Sequence, residues 1–385
     1  MSNNATGVAT DTSFGEIFGI ACVWFGTHVG GGFATGNQVY QFYVSYGWLG
    51  AITPFVAMFI QAWVLRSAVI MSRSQNLVSY KDFFNYLWKP YPRLSITFEI
   101  FYWIILLVAV GIAIAGAASL LNEDGGLPYP LAALITGAIL FLLTIFGEKL
   151  IARASTFMSV AILCACACIF FIGISQRWDN LVDVLTVQQQ TPRGVLSPFV
   201  TAVVYAGFQL VGLPAIVACS QRMNSMRSVN TFFWLGFLMN GIALTLSACL
   251  LFAWSGDLNF ATLALPNVTI CNLTGEPWLY WAYAICLFLA FISTGVTCIF
   301  GLVVRLENSF GKDRLHLTLR RAIISLAIMI VSVALSLTGL TPLIKYGYGF
   351  CGYLAVFVVI IPIVIIGQIK NNKYRAEHPE FLRNS

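Results

Sequence analysis

The sequence predicts an all-α integral membrane protein: ten transmembrane helices in two inverted halves of five, with helices 1 and 6 interrupted. Three observations carry the prediction. Only 9% of the 385 residues are charged and 59% are hydrophobic, where a surface facing water carries about 25% charged residues. Apolar runs of the roughly 20 residues needed to cross the hydrocarbon core recur along the whole chain. The first and the sixth of these runs hold residues that a straight helix does not favour.

Ten runs meet that ruler: 14–45, 47–71, 94–121, 128–146, 149–175, 196–220, 229–255, 278–306, 318–339 and 342–369. They form one transmembrane domain over 1–385. Its parts are an N-terminal tail 1–13, a first repeat 14–175, a second repeat 196–369 with last helices 278–369, and a C-terminal tail 370–385. Between runs 2 and 3, "SYKDFFNYLW" (79–88) is short and amphipathic and is expected at the interface. The opening "MSNNATGVATDTSFGE" has no basic n-region and no A-x-A site, so it does not read as a cleavable signal peptide.

Orientation follows from lysine and arginine. Arg66, Arg73, Lys81, Lys89, Arg93, Lys149, Arg153, Arg222 and Arg227 fall in one set of links, with "RLENSFGKDRLHLTLRR" and the C-terminal tail. The other set holds only Arg177, Arg193 and Lys345. Both termini are therefore expected in the cytoplasm, in a multi-pass protein of the cell membrane. The net charge of +6 becomes a topology signal rather than a nucleic-acid surface. Two N-x-T sequons, Asn267 and Asn272, fall in the opposite link between runs 7 and 8.

Run 1 is too long for one straight helix and contains "WFGTHVGGGFATGNQ", Trp24 to Gln38. Run 6 reads "SPFVTAVVYAGFQLVGLPAIVACSQ", with Gln209 between Gly207 and Gly212 and with Pro214 a turn later. An odd number of runs per half places the second half upside down relative to the first; if the halves are repeats, run 6 corresponds to run 1 and should also be interrupted. Paired Gly/Pro interruptions at corresponding positions are the sequence pointer to a transporter's binding site. Backbone unwound at membrane depth must line a polar cavity. There, free N–H groups attract a carboxylate and free C=O groups attract a cation. The plainer alternative is that the glycines are packing notches. Candidate substrate-binding residues are Thr27, His28, Gly30, Gly31, Gly32 and Asn37 in run 1, Tyr102 and Trp103 in run 3, and Tyr205, Ala206, Gly207 and Gln209 in run 6.

The stretch "GTHVGGGFATGNQVYQFYVSYGWLG" resembles the opening of the YkvI-like amino-acid permeases, whose first helix typically reads G-x-x-V-G-A-G-F-A-S-G-x-E. That family lies in the amino acid–polyamine–organocation superfamily. The resemblance implies the LeuT fold, two inverted five-helix repeats with broken helices 1 and 6, and alternating access. This chain departs from the pattern at His28 and at Asn37-Gln38, where Gln-Glu is frequent. The missing acid argues against a proton-carrying carboxylate in helix 1.

The resemblance also implies where a coupling sodium would sit. Two carbonyls come from helix 1, at Gly26 and Val29; helix 8, "LFLAFISTGVTCIFGLVVRLEN", supplies the Ala290 carbonyl and the Ser293 and Thr294 hydroxyls. The plainer alternative is that each hydroxyl bonds back to its own i−4 carbonyl. Proton coupling would need a basic residue deep in run 5. Lys149 and Arg153 lie near its start, and deeper it offers Ser155, Thr156 and Ser159.

Among other polar residues, Glu16, Arg66 and Glu99 lie near the cytoplasmic ends of their runs, where pairing or snorkelling accounts for them. Tyr346, Tyr348 and Gly349 are candidates for an outer gate, and Lys345 for an interfacial anchor. Cys164, Cys166 and Cys168 point in different directions on a helix and read as packing residues, not metal ligands. No run carries an H-E-x-x-H, paired-carboxylate or Ser-His-Asp constellation, so an enzyme is disfavoured. A channel is disfavoured because mirrored breaks put the pathway inside one protomer. The expectation is sodium-driven symport of a small amino acid or related zwitterion. It needs no cofactor beyond the coupling ion and no nucleic acid, and its partners are the small-molecule substrate and membrane lipid, in a monomer or homodimer. Proton coupling or exchange on the same fold is the alternative.

Overall fold

The structure is a computed structural model that describes residues 12–146, 148–188, 194–306 and 316–379; no side chain is described for 146 or 148–159. Arg193, the segment 307–315, the outermost tails, and the side chains of Lys149, Arg153, Ser155, Thr156 and Ser159 lie outside that set.

All regular structure among the described residues is helical. The first run divides into α1 (Phe14–His28), α2 (Gly31–Ala34) and α3 (Asn37–Phe42). Then follow α4 (Thr53–Ser74), α5 (Tyr80–Leu87), α6 (Ile96–Glu123), α7 (Tyr129–Phe146), α8 (Glu148–Gln176), α9 (Trp178–Val187), α10 (Ser197–Gln209), α11 (Leu213–Cys219), α12 (Met226–Ala253), α13 (Pro266–Leu273), α14 (Pro277–Leu306) and α15 (Leu317–Ser336). The last helix, α16, runs Leu340–Glu377. Among the described residues, seven spans are long and apolar enough for a crossing, and α8 with α9 is bent by 77° at Arg177. The short α7 and the divided first run occupy the remaining predicted positions. This is a multi-pass membrane protein.

Local chemistry sets the ends. Ser13 and Glu16 form a reciprocal capping box that starts α1, and Ser225 with Ser228 does the same for α12. Proline occupies the first turn of α4, α10 and α11, where its missing N–H has no helical partner to lose. The predicted interfacial segment is α5. It turns Phe83, Phe84 and Leu87 inward, and the Phe84 and Phe98 rings stack at 3.9 Å.

The packing divides into two groups. In one apolar core, Leu106, Val110, Ile114 and Ala118 form an i, i+4 ridge on α6 that meets α7, α14 and α15 through Leu140, Ile299 and Ile328. The other, larger core joins α1, α4, α10, α12 and α16 through side chains such as Trp24, Met58, Tyr205 and Phe232, and it takes in faces of α6, α8 and α14 through Phe101, Ile169 and Tyr283. Gly236 on α12 lets the Trp24 ring lie directly against its backbone. Phe33, Ile105, Ile112, Phe208 and Phe291, which line the site, belong to the larger core.

The second interruption is present but milder than the first. α10 passes into α11 through a 3₁₀ turn, Leu210–Gly212, with no residue at positive φ; Pro214 cannot donate an i−4 bond, so the turn tightens instead of opening. The C-terminal tail is helical as far as Glu377, and Asn371 docks by donating to the Ser67 carbonyl at 2.9 Å. Asn267, in the first of the two N-x-T patterns, is fully buried.

Candidate functional site

The first helix breaks at Val29–Gly30. Val29 caps α1 at φ −87°, ψ 74°, and Gly30 is extended at φ −99°, ψ −175°. Among the described residues, no backbone amide donates to the carbonyls of Gly26, Thr27 or Val29, and the amides of Gly31, Gly32 and Phe33 find no backbone acceptor. A second bend follows at Gly36, whose φ of 79° favours glycine. Both kinds of orphan group that the interruption implies are therefore present.

A cavity of about 100 Å³ lies against this break. Thr27, His28, Gly30–Phe33 and Gln38 line it from the first run, and Ile105, Ala109, Ile112 and Ala113 from α6. Phe208, Gln209 and Val211 close the α10–α11 side; Phe291, Thr294, Cys298 and Tyr348 complete it from α14 and α16. Among these lining residues there is no carboxylate, lysine or arginine.

A chain of hydrogen bonds crosses behind the cavity. Asn240 Nδ2 donates to the Gly236 carbonyl at 2.8 Å, and its Oδ1 lies 2.7 Å from His28 Nδ1. His28 Nε2 lies 2.9 Å from the Tyr205 hydroxyl. That hydroxyl also receives Gln38 Nε2 at 3.0 Å and Gln209 Nε2 at 3.3 Å. Gln61 on α4 donates to the Gln209 carbonyl at 3.1 Å, which satisfies backbone at the second interruption.

The two faces of the membrane differ. On the face away from the termini, Asn37 Nδ2 donates to the Leu263 and Ala264 carbonyls and to Thr341 Oγ1. Asn267 donates its backbone N–H to the Thr35 carbonyl at 3.0 Å and its amide to the Ala34 carbonyl at 3.1 Å. Phe208 and Tyr348 stack at 4.7 Å across the cavity. That face is shut. On the other side, Gly26 and Thr27 are exposed, and Ile105 and Cys298 carry the lining toward the terminal face.

The structure brings some of the sequence candidates together and not others. Thr27, His28, Gly30, Gly31, Gly32 and Gln209 line the cavity. Tyr205 stands one bond behind it. Asn37 belongs to the closed face. Ala206 is fully buried away from the cavity. Gly207 faces α16 instead: a Cβ there would lie 2.6 Å from the Gly352 carbonyl oxygen. Tyr102 lies on the cavity-lining face of α6 but one turn nearer the terminal face, where the Arg305 guanidinium sits 4.2 Å over its ring. Trp103 packs against the α6–α7–α14–α15 core. Depth along a helix, not its face, separates Tyr102 from Ile105.

Of the sodium candidates, Thr294 lines the cavity, with its Oγ1 3.6 Å from the Cβ position of Gly30. Ser293 and Ala290 do not line it. Neither Ser293 nor Thr294 bonds back to an i−4 carbonyl, whereas Thr297 does so at 2.8 Å. Arg66 donates to Asn230 at 2.9 Å, and Glu99 lies 4.0 Å from Arg305. Tyr346 is exposed, so Tyr348 alone of that pair reaches the cavity. The cysteines, Cys166 among them, are free thiols.

Sequence reasoning missed Gln38, Phe291 and Asn240. Gln38 and Asn240 had a signal, a lone amide within an apolar run. Phe291 had none, because its role depends on glycines far away in sequence.

No family model matches the chain. Over 148 residues it is 27% identical to the uncharacterized membrane protein YkvI of Bacillus subtilis (strain 168), a match covering 38% of this chain and 42% of that one. The match thus spans less than half of the relative's length. Among solved structures, MhsT in complex with L-phenylalanine superposes with a TM-score of 0.61 at 13% identity, covering 93% of this chain and 98% of that one. The manganese transporter of Eremococcus coleocola gives 0.55 at 17% identity, over 95% and 93%. A Na+-coupled sialic acid symporter gives 0.51 at 13% identity, over 92% and 96%. The chain has the LeuT-type fold of these proteins and is similar to YkvI.

Proposed function

We propose that this protein is a secondary transporter that carries a small amino acid or related zwitterion across the cell membrane by alternating access, with sodium as the coupling ion. The observation that carries the reading is the break at Val29–Gly30. Unpaired carbonyls and unpaired amides there meet one small cavity lined by the first run, α6, α10, α14 and α16. A zwitterion presents the charges that such a break attracts at its two ends. The neutral lining suits a substrate with no net charge and gives a divalent cation no carboxylate to hold it. At about 100 Å³, the space is well below the roughly 300 Å³ at which drug-sized pockets begin, so the solute is of glycine or alanine size. The hydroxyl of Thr294, which has no hydrogen-bond partner among the described residues and faces Gly30, supports sodium at the contact between the first run and α14. The excess of Lys and Arg on the terminal face supports cytoplasmic termini.

Uptake of labelled glycine and L-alanine into proteoliposomes, with sodium and proton gradients imposed separately, tests the reading. Uptake that follows sodium supports it. Uptake driven by protons and indifferent to sodium overturns the ion assignment and leaves proton coupling as the account.

A further inference from the structure

Resting on the zwitterion reading above, we infer that Gln38 and Gln209 receive the substrate's ammonium group on their side-chain oxygens, and that His28 is the positioning residue that turns both amides that way.

Hydrogen-bond polarity and burial orient each group of the chain. The Gly236 carbonyl can only accept, so the Asn240 amide must turn its NH2 to it and its oxygen to His28. His28 Nδ1 must then carry a proton. The ring is buried, and no carboxylate is among its partners, so it bears no second proton. Nε2 is therefore a bare acceptor, and the Tyr205 hydroxyl gives its one hydrogen to it. What remains on Tyr205 is lone pairs. Both glutamines near it, at 3.0 and 3.3 Å, can only point NH2 groups inward. Each amide oxygen is consequently turned away from the hub.

Both glutamines line the cavity, and neither oxygen has a protein donor. Gln38 Oε1 lies 2.8 Å from the Cβ position of Gly32, so only a glycine leaves room for it there. Two outward-turned amide oxygens in a lining without carboxylates form an acceptor pair for a group that carries several N–H donors. An ammonium is that group. A carboxylate would be repelled by the same pair.

The test uses the purified full-length chain in proteoliposomes, with labelled L-alanine uptake competed by ethylamine, which has the amine alone, and by propionate, which has the carboxylate alone. Gln38→Leu and Gln209→Leu are each expected to raise the KM for alanine about tenfold or more. They weaken competition by ethylamine and leave that by propionate unchanged. Tyr205→Phe, which removes only the hub hydroxyl, and His28→Ala, which frees it to turn, are expected to raise KM with little change in maximal rate. A merely structural role would lower the maximal rate and shift both competitors together. Wild-type KM and wild-type ethylamine competition in Gln38→Leu and Gln209→Leu would overturn the inference while alanine uptake kept the zwitterion reading intact. A wild-type protein that takes up neither alanine nor glycine overturns both.

Discussion

The ring of Phe291 occupies the space that a side chain on Gly31 would need, and it also fills the space of a side chain on Gly116. A residue on α14 is thus clamped between the break in the first helix and the middle of α6. Any Cβ at Gly31 overlaps the ring, and in a packed interior the misfit costs about 1–3 kcal/mol.

From this clamp, Gly31→Ala is expected to reduce uptake at least tenfold. The added change Phe291→Leu, which vacates part of the ring's space, is expected to restore uptake partly. A double mutant cycle on initial rates reads the coupling; additive losses would show that the two residues do not share that space.

Thr294 faces Gly30 with a hydroxyl that makes no hydrogen bond among the described residues. Ser293→Ala with Thr294→Ala is expected to raise the half-saturating sodium concentration by about tenfold or more, while Thr297→Ala, whose hydroxyl is bonded back to Ser293, leaves it unchanged. Sodium titration of alanine uptake measures this. An unaltered titration in the double variant would remove both hydroxyls as ligands.

Tyr102 lies beneath the Arg305 guanidinium, a turn short of the cavity. Tyr102→Phe is therefore expected to leave the alanine KM within about twofold of wild type. Arg305→Ala should lower the thermal midpoint, because a stacked, partly desolvated cation contributes about 1–2 kcal/mol. Arg305→Lys should recover little of it, since the ammonium lacks the planar stack.

Cys298 lines the cavity on its terminal side. With the other cysteines replaced, a membrane-impermeant maleimide is expected to label it from the terminal face and not from the opposite one. Asn37→Ala and Asn267→Ala, which cut the bonds of the shut face, should add labelling from that opposite face. Labelling confined to the terminal face in both variants would show that these amides do not hold it closed.

Much of the fold could be read in advance because membrane helices announce themselves by length and low charge. The break at Val29–Gly30 was legible too, since three adjacent glycines within an apolar run have few structural uses. What stayed hidden were relations between distant segments. Nothing near Gly31 mentions Phe291, and nothing near His28 mentions Asn240. Periodicity placed Tyr102 on the correct face of α6 but says nothing about depth, so a residue one turn out of the cavity looked equal to Ile105. Asn267 shows the same limit from the other side: a glycosylation pattern occurred in a segment whose tertiary contacts bury it.

The bonds that Asn37 and Asn267 make across the shut face also carry a kinetic meaning. At roughly 0.6 kcal/mol for each polar contact between membrane helices, together they favour the shut form by about 3 kcal/mol, on the order of a hundredfold in population. On the transport reading, a solute approaching from that side finds the doorway open less often by that factor. Its apparent affinity is then the cavity's own affinity diluted by the same factor. Loosening the bolt should make the protein bind from that side as though its site had improved, with no residue of the site changed.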